Sequence, residues 1–240
     1  MSKLSIKQIP ALRDNYMYLL TCETSGKTAI VDPAEHAPVV ETLGGQNLDY
    51  ILNTHHHWDH TDGNLALKEK YNATIIGSGY DPERIRGLDQ QVKEGDSLKV
   101  GEAEADVIFV PGHTRGHIAF YFPESHALFC GDTLFAGGCG RMFEGTPEEM
   151  FSSLQKLSVL PAETKVYCGH EYTEANYKFA QQATPENTDI QKRLKEVQTM
   201  RAYGKSTVPS TMAEETRSNV FLLAKTPEAF AELREQKDNF

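Results

Sequence analysis

Between Thr54 and His60 the chain reads THHHWDH, placing three imidazoles in a row and a carboxylate and a fourth imidazole shortly after them. Imidazole nitrogen and carboxylate oxygen are the donors that a borderline divalent ion such as zinc takes. His55 and His57 are two residues apart, so in an extended segment they face the same side. Asp59 and His60 lie one short turn further on and face a different point. Three more donors each follow a short apolar run: His113 in PGHTRGH, Asp132 in CGDT and His170 in CGHEYT. One catalytic ion with an open position needs about three protein ligands. Seven candidates are too many for one such ion and suit two. Two ions about 4 Å apart act on the attacking and leaving atoms together. Asp132 is the natural carboxylate to bridge them, and Asp59 and Asp132 are the carboxylates expected to serve catalysis.

The remaining histidines read differently. His56 lies between two ligands and is expected to point away into solvent. His117 is expected either to support a ligand from behind or to sit in the core as a satisfied histidine. His36 and His126 read as surface residues. Gly112, Gly116, Gly131 and Gly169 flank the donors, as tight turns near a metal or as ordinary loop glycines.

The elements that must position these residues are mostly short strands. Tyr16–Thr21 and Thr28–Asp32 flank the SGK turn at Ser25–Lys27 and read as a hairpin. Val39–Leu43 predicts a short helix. Tyr50–Thr54 is a mostly apolar run ending in the histidines, as a buried strand delivering a loop does. A helix is expected over Asn64–Tyr71, and strands over Ala73–Ile76, Ala105–Val110, Ile118–Phe122, Ala127–Cys130 and Val166–Cys168. Glu148–Leu157 is helical behind Thr146-Pro147. After about His170 the chain turns helical and polar, from Tyr172 to Gly204 with a break near Thr184-Pro185. A last helix spans Pro227–Gln236, with proline at its start. The reading is a β-rich α/β domain over residues 1–170 and a small helical segment over 171–240. Strand ends feeding loops at one sheet edge are where such domains assemble sites.

With 24 Lys plus Arg against 34 Asp plus Glu, the formal charge is -10. A net anion is a poor partner for nucleic acid or an anionic membrane. No apolar run approaches the roughly 18 residues needed to span a bilayer, and the N-terminus carries no long apolar segment of a cleaved signal. Cys22, Cys130, Cys139 and Cys168 form no CxxC pair and read as reduced thiols of a cytoplasmic protein.

THHHWDH, PGHTRGH, CGDTLF and CGHEYT, in that order, resemble the metallo-β-lactamase superfamily. DNYMYLL near the start, GDTLFAGGCGRMFEGT at Gly131–Thr146, GHEYT and the C-terminal LREQKDNF are similar to the glyoxalase II (hydroxyacylglutathione hydrolase) family within it. The resemblance implies a four-layer αββα sandwich followed by a helical substrate-binding domain. It implies one metal on His55, His57 and His113, the other on Asp59, His60 and His170, and Asp132 between them. It implies two divalent ions, zinc first, with iron or manganese as alternatives. The implied substrate is a glutathione thioester, S-D-lactoylglutathione, hydrolysed by a hydroxide held between the ions to glutathione and D-lactate, the second step of methylglyoxal detoxification. Glutathione would contact Arg141, Phe143, Tyr172, Arg234 and Lys237, on a monomer. Three positions depart from the pattern: Asp62 where many relatives have Gly, Phe143 where others have Tyr, and Arg141 where some have Lys.

A thioester suits such a centre, because a thiol with a pKa of roughly 8.5 leaves as thiolate without a dedicated general acid. No GxSxG nucleophile motif is present. Three other readings stay open on the residues: a lactone, β-lactam or phosphodiester hydrolase of the same superfamily; an iron redox enzyme; and a metal-binding protein without turnover. For Arg234 and Lys237 taken alone, a solvated helix face is the plainer reading. For Tyr172, packing at the domain junction is an equal reading.

Overall fold

The N-terminal sequence alternates or runs apolar in stretches of four to eight residues, and these become strands. The computed structural model describes residues 2–240. They group into two compact units, residues 2–109 with Gly116–Gly131, and Val110–Arg115 with Asp132–Phe240. Each is described by itself.

In the first unit, β1 (Leu4–Ala11) and β2 (Asn15–Cys22) pair antiparallel, with Leu4 opposite Cys22 and Ala11 opposite Asn15. β2 pairs antiparallel with β3 (Thr28–Val31), confirming the hairpin over the SGK turn. β4 (Tyr50–Leu52) and β5 (Thr74–Ser78) then add in parallel, followed by β6 (Gln90–Val92). The six strands lie in sequence order in one sheet. Parallel strands need covered faces, and helices α1 (His36–Leu43) and α3 (Asn64–Tyr71) supply cover, with the short α2 (Trp58–Thr61) between β4 and α3. Val39, Leu43 and Leu67 are buried in one cluster with Ile30, Ile51 and Ile75. A second, antiparallel sheet holds β7 (Ser97–Val100), β8 (Ala103–Phe109), β9 (Ile118–Phe122) and β10 (Ala127–Gly131). Tyr18 of β2 meets Phe129 of β10 at 5.5 Å between ring centroids, so the two sheets face each other. β2, β9 and β10 are almost wholly buried, as strands covered on both faces are.

β3 and β4 run parallel and adjacent, so the chain leaves both at the same edge. Asp32 follows β3 and Thr54–His60 follow β4 there. This register brings Asp32 to Thr54, 22 residues away in sequence, and so fixes the start of the histidine loop.

The second unit is mainly helical. A two-stranded hairpin pairs β11 (Leu134–Phe135) with β12 (Gly138–Cys139), and β13 (Lys165–Cys168) pairs antiparallel with β14 (Ser210–Thr211). Around them lie α4 (Pro147–Ser158), α5 (Thr173–Ala183), α6 (Thr188–Ala202), α7 (Met212–Ser218), α8 (Val220–Leu223) and α9 (Pro227–Asp238). α4 and α7 begin with reciprocal capping boxes, Thr146 with Glu149 and Thr211 with Glu214. The aromatic core of this unit includes Phe179, Phe221 and Phe230, all fully buried. The break near Thr184-Pro185 falls between α5 and α6.

All four cysteines are buried, and none forms a disulfide among the described residues. Among the described residues no helix is long and apolar enough to cross a membrane.

Candidate metal centre and flanking side chains

The loop after β4 is built before any metal is considered. The Asp32 carboxylate accepts the Thr54 backbone N–H at 2.8 Å and the Thr54 hydroxyl at 2.6 Å. It also faces His60 Nδ1 at 3.2 Å. His60 is 1% exposed and Asp32 3%, so this is a buried carboxylate–imidazole pair. With Nδ1 turned to Asp32, the other ring nitrogen of His60 is directed elsewhere, and it lies 3.7 Å from Asp59 Oδ2. An outer carboxylate fixes the tautomer and aim of a metal-binding histidine in this way. Asn15 performs the matching service for Asp59, donating to its Oδ2 and its carbonyl at 3.0 Å each.

His55 Nε2 stands 3.1 Å from His57 Nδ1. Tetrahedral donors at metal–nitrogen distances of 2.0–2.1 Å are roughly 3.3 Å apart, so the pair is spaced as two ligands of one ion would be. The His55 ring is backed by His117, stacked at 4.6 Å and 17° and fully buried. His56 is not the solvated residue expected. Its side chain keeps 11% exposure and lies against Asp81, 3.8 Å away, with Arg84 also on it. The Asp81–Arg84 segment folds back over the loop, which the local sequence of His56 cannot reveal. His36 and His126 are exposed, as expected.

In the second unit one carboxylate oxygen organises two imidazoles. Asp132 Oδ2 is 3.5 Å from His113 Nε2 and 3.3 Å from His170 Nε2. All three side chains are at least nine-tenths buried. His113 Nδ1 donates to the Arg141 carbonyl at 2.7 Å, which directs Nε2 toward Asp132. The Phe143 N–H returns to the His113 carbonyl at 3.4 Å, and the Phe143 ring meets the imidazole edge at 5.2 Å. Tyr172 stacks on His170, parallel within 1° at 4.7 Å, and Phe135 packs edge-on against both rings.

This donor set fits divalent ions. The buried atoms are imidazole nitrogens and carboxylate oxygens, spaced for coordination, and the non-coordinating ring nitrogens of His60 and His113 are held by acceptors.

The residues expected to meet glutathione all fall in the second unit. Arg141 and Phe143 are exposed, the latter at 62%, and Tyr172 at 38%. Arg234 is 5% exposed, so a solvated helix face does not describe it. Its guanidinium donates to the Cys139 carbonyl at 3.2 Å and to Asp238 at 2.9 Å. Arg141 Nε reaches the same Asp238 oxygen at 3.2 Å. Lys237 donates to the Ala175 carbonyl at 3.1 Å and lies over the rings of Phe179 and Phe240. Burial, with Arg234 nearby, pulls its ammonium down to about 8. Asp62 is exposed at the end of α2.

Comparison with known proteins now bears on this arrangement. Residues 11–170 match the model of the metallo-β-lactamase superfamily, and residues 171–240 match that of the hydroxyacylglutathione hydrolase C-terminus. The hydroxyacylglutathione hydrolase of Methylococcus capsulatus is 49% identical, with 99% of each chain covered. That of Rhodospirillum rubrum is 48% identical, with both chains covered completely. The chain belongs to the hydroxyacylglutathione hydrolase (glyoxalase II) family of the metallo-β-lactamase superfamily. Among solved structures, ETHE1 from Myxococcus xanthus is similar to this family member with a TM-score of 0.75 at 27% identity, covering 96% of this chain and 90% of that one. TTHA1623 in a di-iron-bound form is similar with a TM-score of 0.64 at 26% identity, covering 91% of this chain and all of that one. The expected class, an α/β metallo-β-lactamase sandwich with a C-terminal helical region, is the observed one.

Sequence reasoning passed over Asp32 and Asn15. Asp32 could have been found by the rule that picked Asp132, since IVDP places an acid directly after an apolar strand. Asn15 carried no such signal beyond its place in DNYMYLL.

Proposed function

We propose that this chain hydrolyses S-D-lactoylglutathione, releasing glutathione and D-lactate at the second step of methylglyoxal detoxification. The observation that carries the reading is the full-length similarity to hydroxyacylglutathione hydrolases. The Asp132 carboxylate, placed against two imidazoles, supports it from chemistry. His55, His57 and His113 would hold one divalent ion and Asp59, His60 and His170 the other, with Asp132 shared. Zinc is the proposed metal, with iron or manganese as alternatives. The iron in a related structure keeps the iron alternative in view.

Two such ions would supply Lewis-acid polarisation of the thioester carbonyl and a water acidified towards neutral pH. The residues of the chain do the rest. Asp59 and Asp132 would offer carboxylate oxygens to the ions, and Asn15 and Asp32 hold Asp59 and His60 in their aims. His117 holds the His55 ring from behind. Water adds to the acyl carbon and gives up a proton to solvent, the carbon–sulfur bond breaks and the sulfur departs as thiolate, leaving the carboxylic acid. A thiol pKa of roughly 8.5 makes that departure feasible without a protein acid. Arg141, Arg234 and Lys237 would bind the glutathione carboxylates by charge-assisted hydrogen bonds, and Phe143 and Tyr172 would flank the peptide. Residues 1–170 form the catalytic domain in this reading and 171–240 the substrate-binding domain. The enzyme is taken to be a cytoplasmic monomer, to be checked by sedimentation and by fractionation of cells.

The test is turnover of S-D-lactoylglutathione with free-thiol detection, alongside metal content of the same sample. Thioester hydrolysis with about two ions per chain is expected. Lactone turnover exceeding it by orders of magnitude would overturn the assignment.

A further inference from the structure

The short β11–β12 hairpin separates Asp132 from Arg141, and helices of the second unit take hold of it one peptide at a time. Asn176 of α5 donates to the Ala136 carbonyl at 3.1 Å. Asn219, which caps α8, donates to the Gly138 carbonyl at 2.9 Å and to the Phe135 carbonyl at 3.3 Å. The Gly137 N–H donates to Glu215 Oε2 at 2.9 Å, and Asn219 Nδ2 donates to the same oxygen at 2.8 Å. Arg234 of α9 takes the Cys139 carbonyl. These partners come from 40 to 95 residues away in sequence.

The fit leaves no slack. Gly137 has φ +69, and a Cβ there would lie 2.5 Å from the buried Tyr177 ring. A Cβ on Gly140 would collide with the Asp132 carbonyl and come within 3.2 Å of His113 Nδ1. The hairpin is therefore clamped between α5 and the α7–α8 junction on one side and two donor residues on the other.

Glu215 is the unusual member of the clamp. It is completely buried, and no step of the proposed hydrolysis uses it. Burial pushes its carboxyl up to about 7. A carboxyl in such a place costs stability unless its hydrogen bonds matter. We infer that Glu215, with Asn219, is a positioning residue that holds the Phe135–Cys139 hairpin and through it sets Asp132 and the Arg141 carbonyl that aims His113. The inference rests on the proposed metal site. It makes the C-terminal helices part of the metal-binding machinery as well as of the substrate-binding domain.

The experiment compares the zinc-loaded parent with Glu215→Leu and Glu215→Gln for metal retained per chain on dialysis against a chelator, kcat on S-D-lactoylglutathione, and melting temperature. Glu215→Leu, which leaves the Gly137 N–H without its acceptor and removes one of the three that Asn219 uses, is expected to lose metal affinity and kcat by about 10–100-fold while remaining folded. Glu215→Gln keeps an oxygen for both donors and is expected to recover most of that loss. A folded Glu215→Leu with parental metal retention and kcat would overturn the inference. So would a glutamine variant as impaired as the leucine one, since a general packing role predicts no such rescue. Should Glu215→Leu not fold, Asn219→Ser takes its place, because serine still caps α8 but does not span to the Gly138 carbonyl. Weakened metal retention in it supports the inference, and parental retention and rate overturn it. A parent that holds two ions but leaves the thioester intact would sink the functional reading, and metal retention in the variants would then judge the clamp alone.

Discussion

The histidine loop of the first unit and the donors of the second are organised by different means. In the loop, four donors lie within six residues after one strand, and two of them are aimed by side chains, Asp32 on His60 and Asn15 on Asp59. In the second unit, His113, Asp132 and His170 come from three separated points, and backbone aims His113 and Asp132. The Arg141 carbonyl turns His113, and the hairpin after Asp132 is gripped peptide by peptide. A local cluster can be steered by a few well-placed side chains. Dispersed donors need rigid connecting chain, and here that rigidity is borrowed from helices later in sequence.

The largest expected effect lies where the second set converges. Asp132→Ala should lower thioester hydrolysis by about a thousand-fold, about 4 kcal/mol, and leave at most one ion bound. Metal analysis and thiol release on one preparation check both, and an unchanged rate would refute the shared-carboxylate reading. Next comes the side-chain steering of the loop. Asp32→Asn should cost about 10–100-fold in metal affinity or kcat, the usual range for an outer carboxylate. If it matches the parent, the loop is not steered as described.

Arg141→Ala probes the exposed rim. Loss of one charge-assisted hydrogen bond should raise KM about ten-fold with kcat little changed. A fall in kcat with KM intact would take the Arg141 side chain out of substrate binding. The smallest effect is on stability against pH. Glu215 titrates near 7 in the folded chain, against 4.5 when exposed, because burial raises it. A raised carboxyl pKa means stability is fully present below about pH 4.5 and is lost as pH rises through 7. Cys168, Tyr177 and Glu214 face the same carboxyl, and burial pushes the first two further from ionising. The melting temperature of the parent relative to Glu215→Gln should therefore decline across that window. A difference independent of pH would show that burial does not raise the Glu215 carboxyl.

Much of the fold was legible where the pattern was strong. The Asn64–Tyr71 helix, the hairpin over SGK and the helix break near Thr184 follow from turn and breaker residues and apolar spacing. β1 was missed because its burial does not alternate cleanly and Pro10 lies near its end. α7 was missed although Thr211 and Glu214 spell a capping box. β11 and β12 are two residues each, too short for any periodicity.

Sequence alone determined which residues hold metal-binding chemistry, because imidazole and carboxylate donors are identities that no fold can supply. It also determined the family, through motifs spread over the whole chain. Tertiary structure decided which ring nitrogen of His60 and of His113 is held, and by what. Those answers depend on partners such as Asp32 for His60 and Arg141 for His113, set close by parallel strand register and loop closure. It also decided that Glu215, unremarkable in sequence, is a buried carboxyl on the hairpin beside Asp132. Only packing removes a glutamate from water, and only the geometry of that packing gives it the Gly137 N–H to hold.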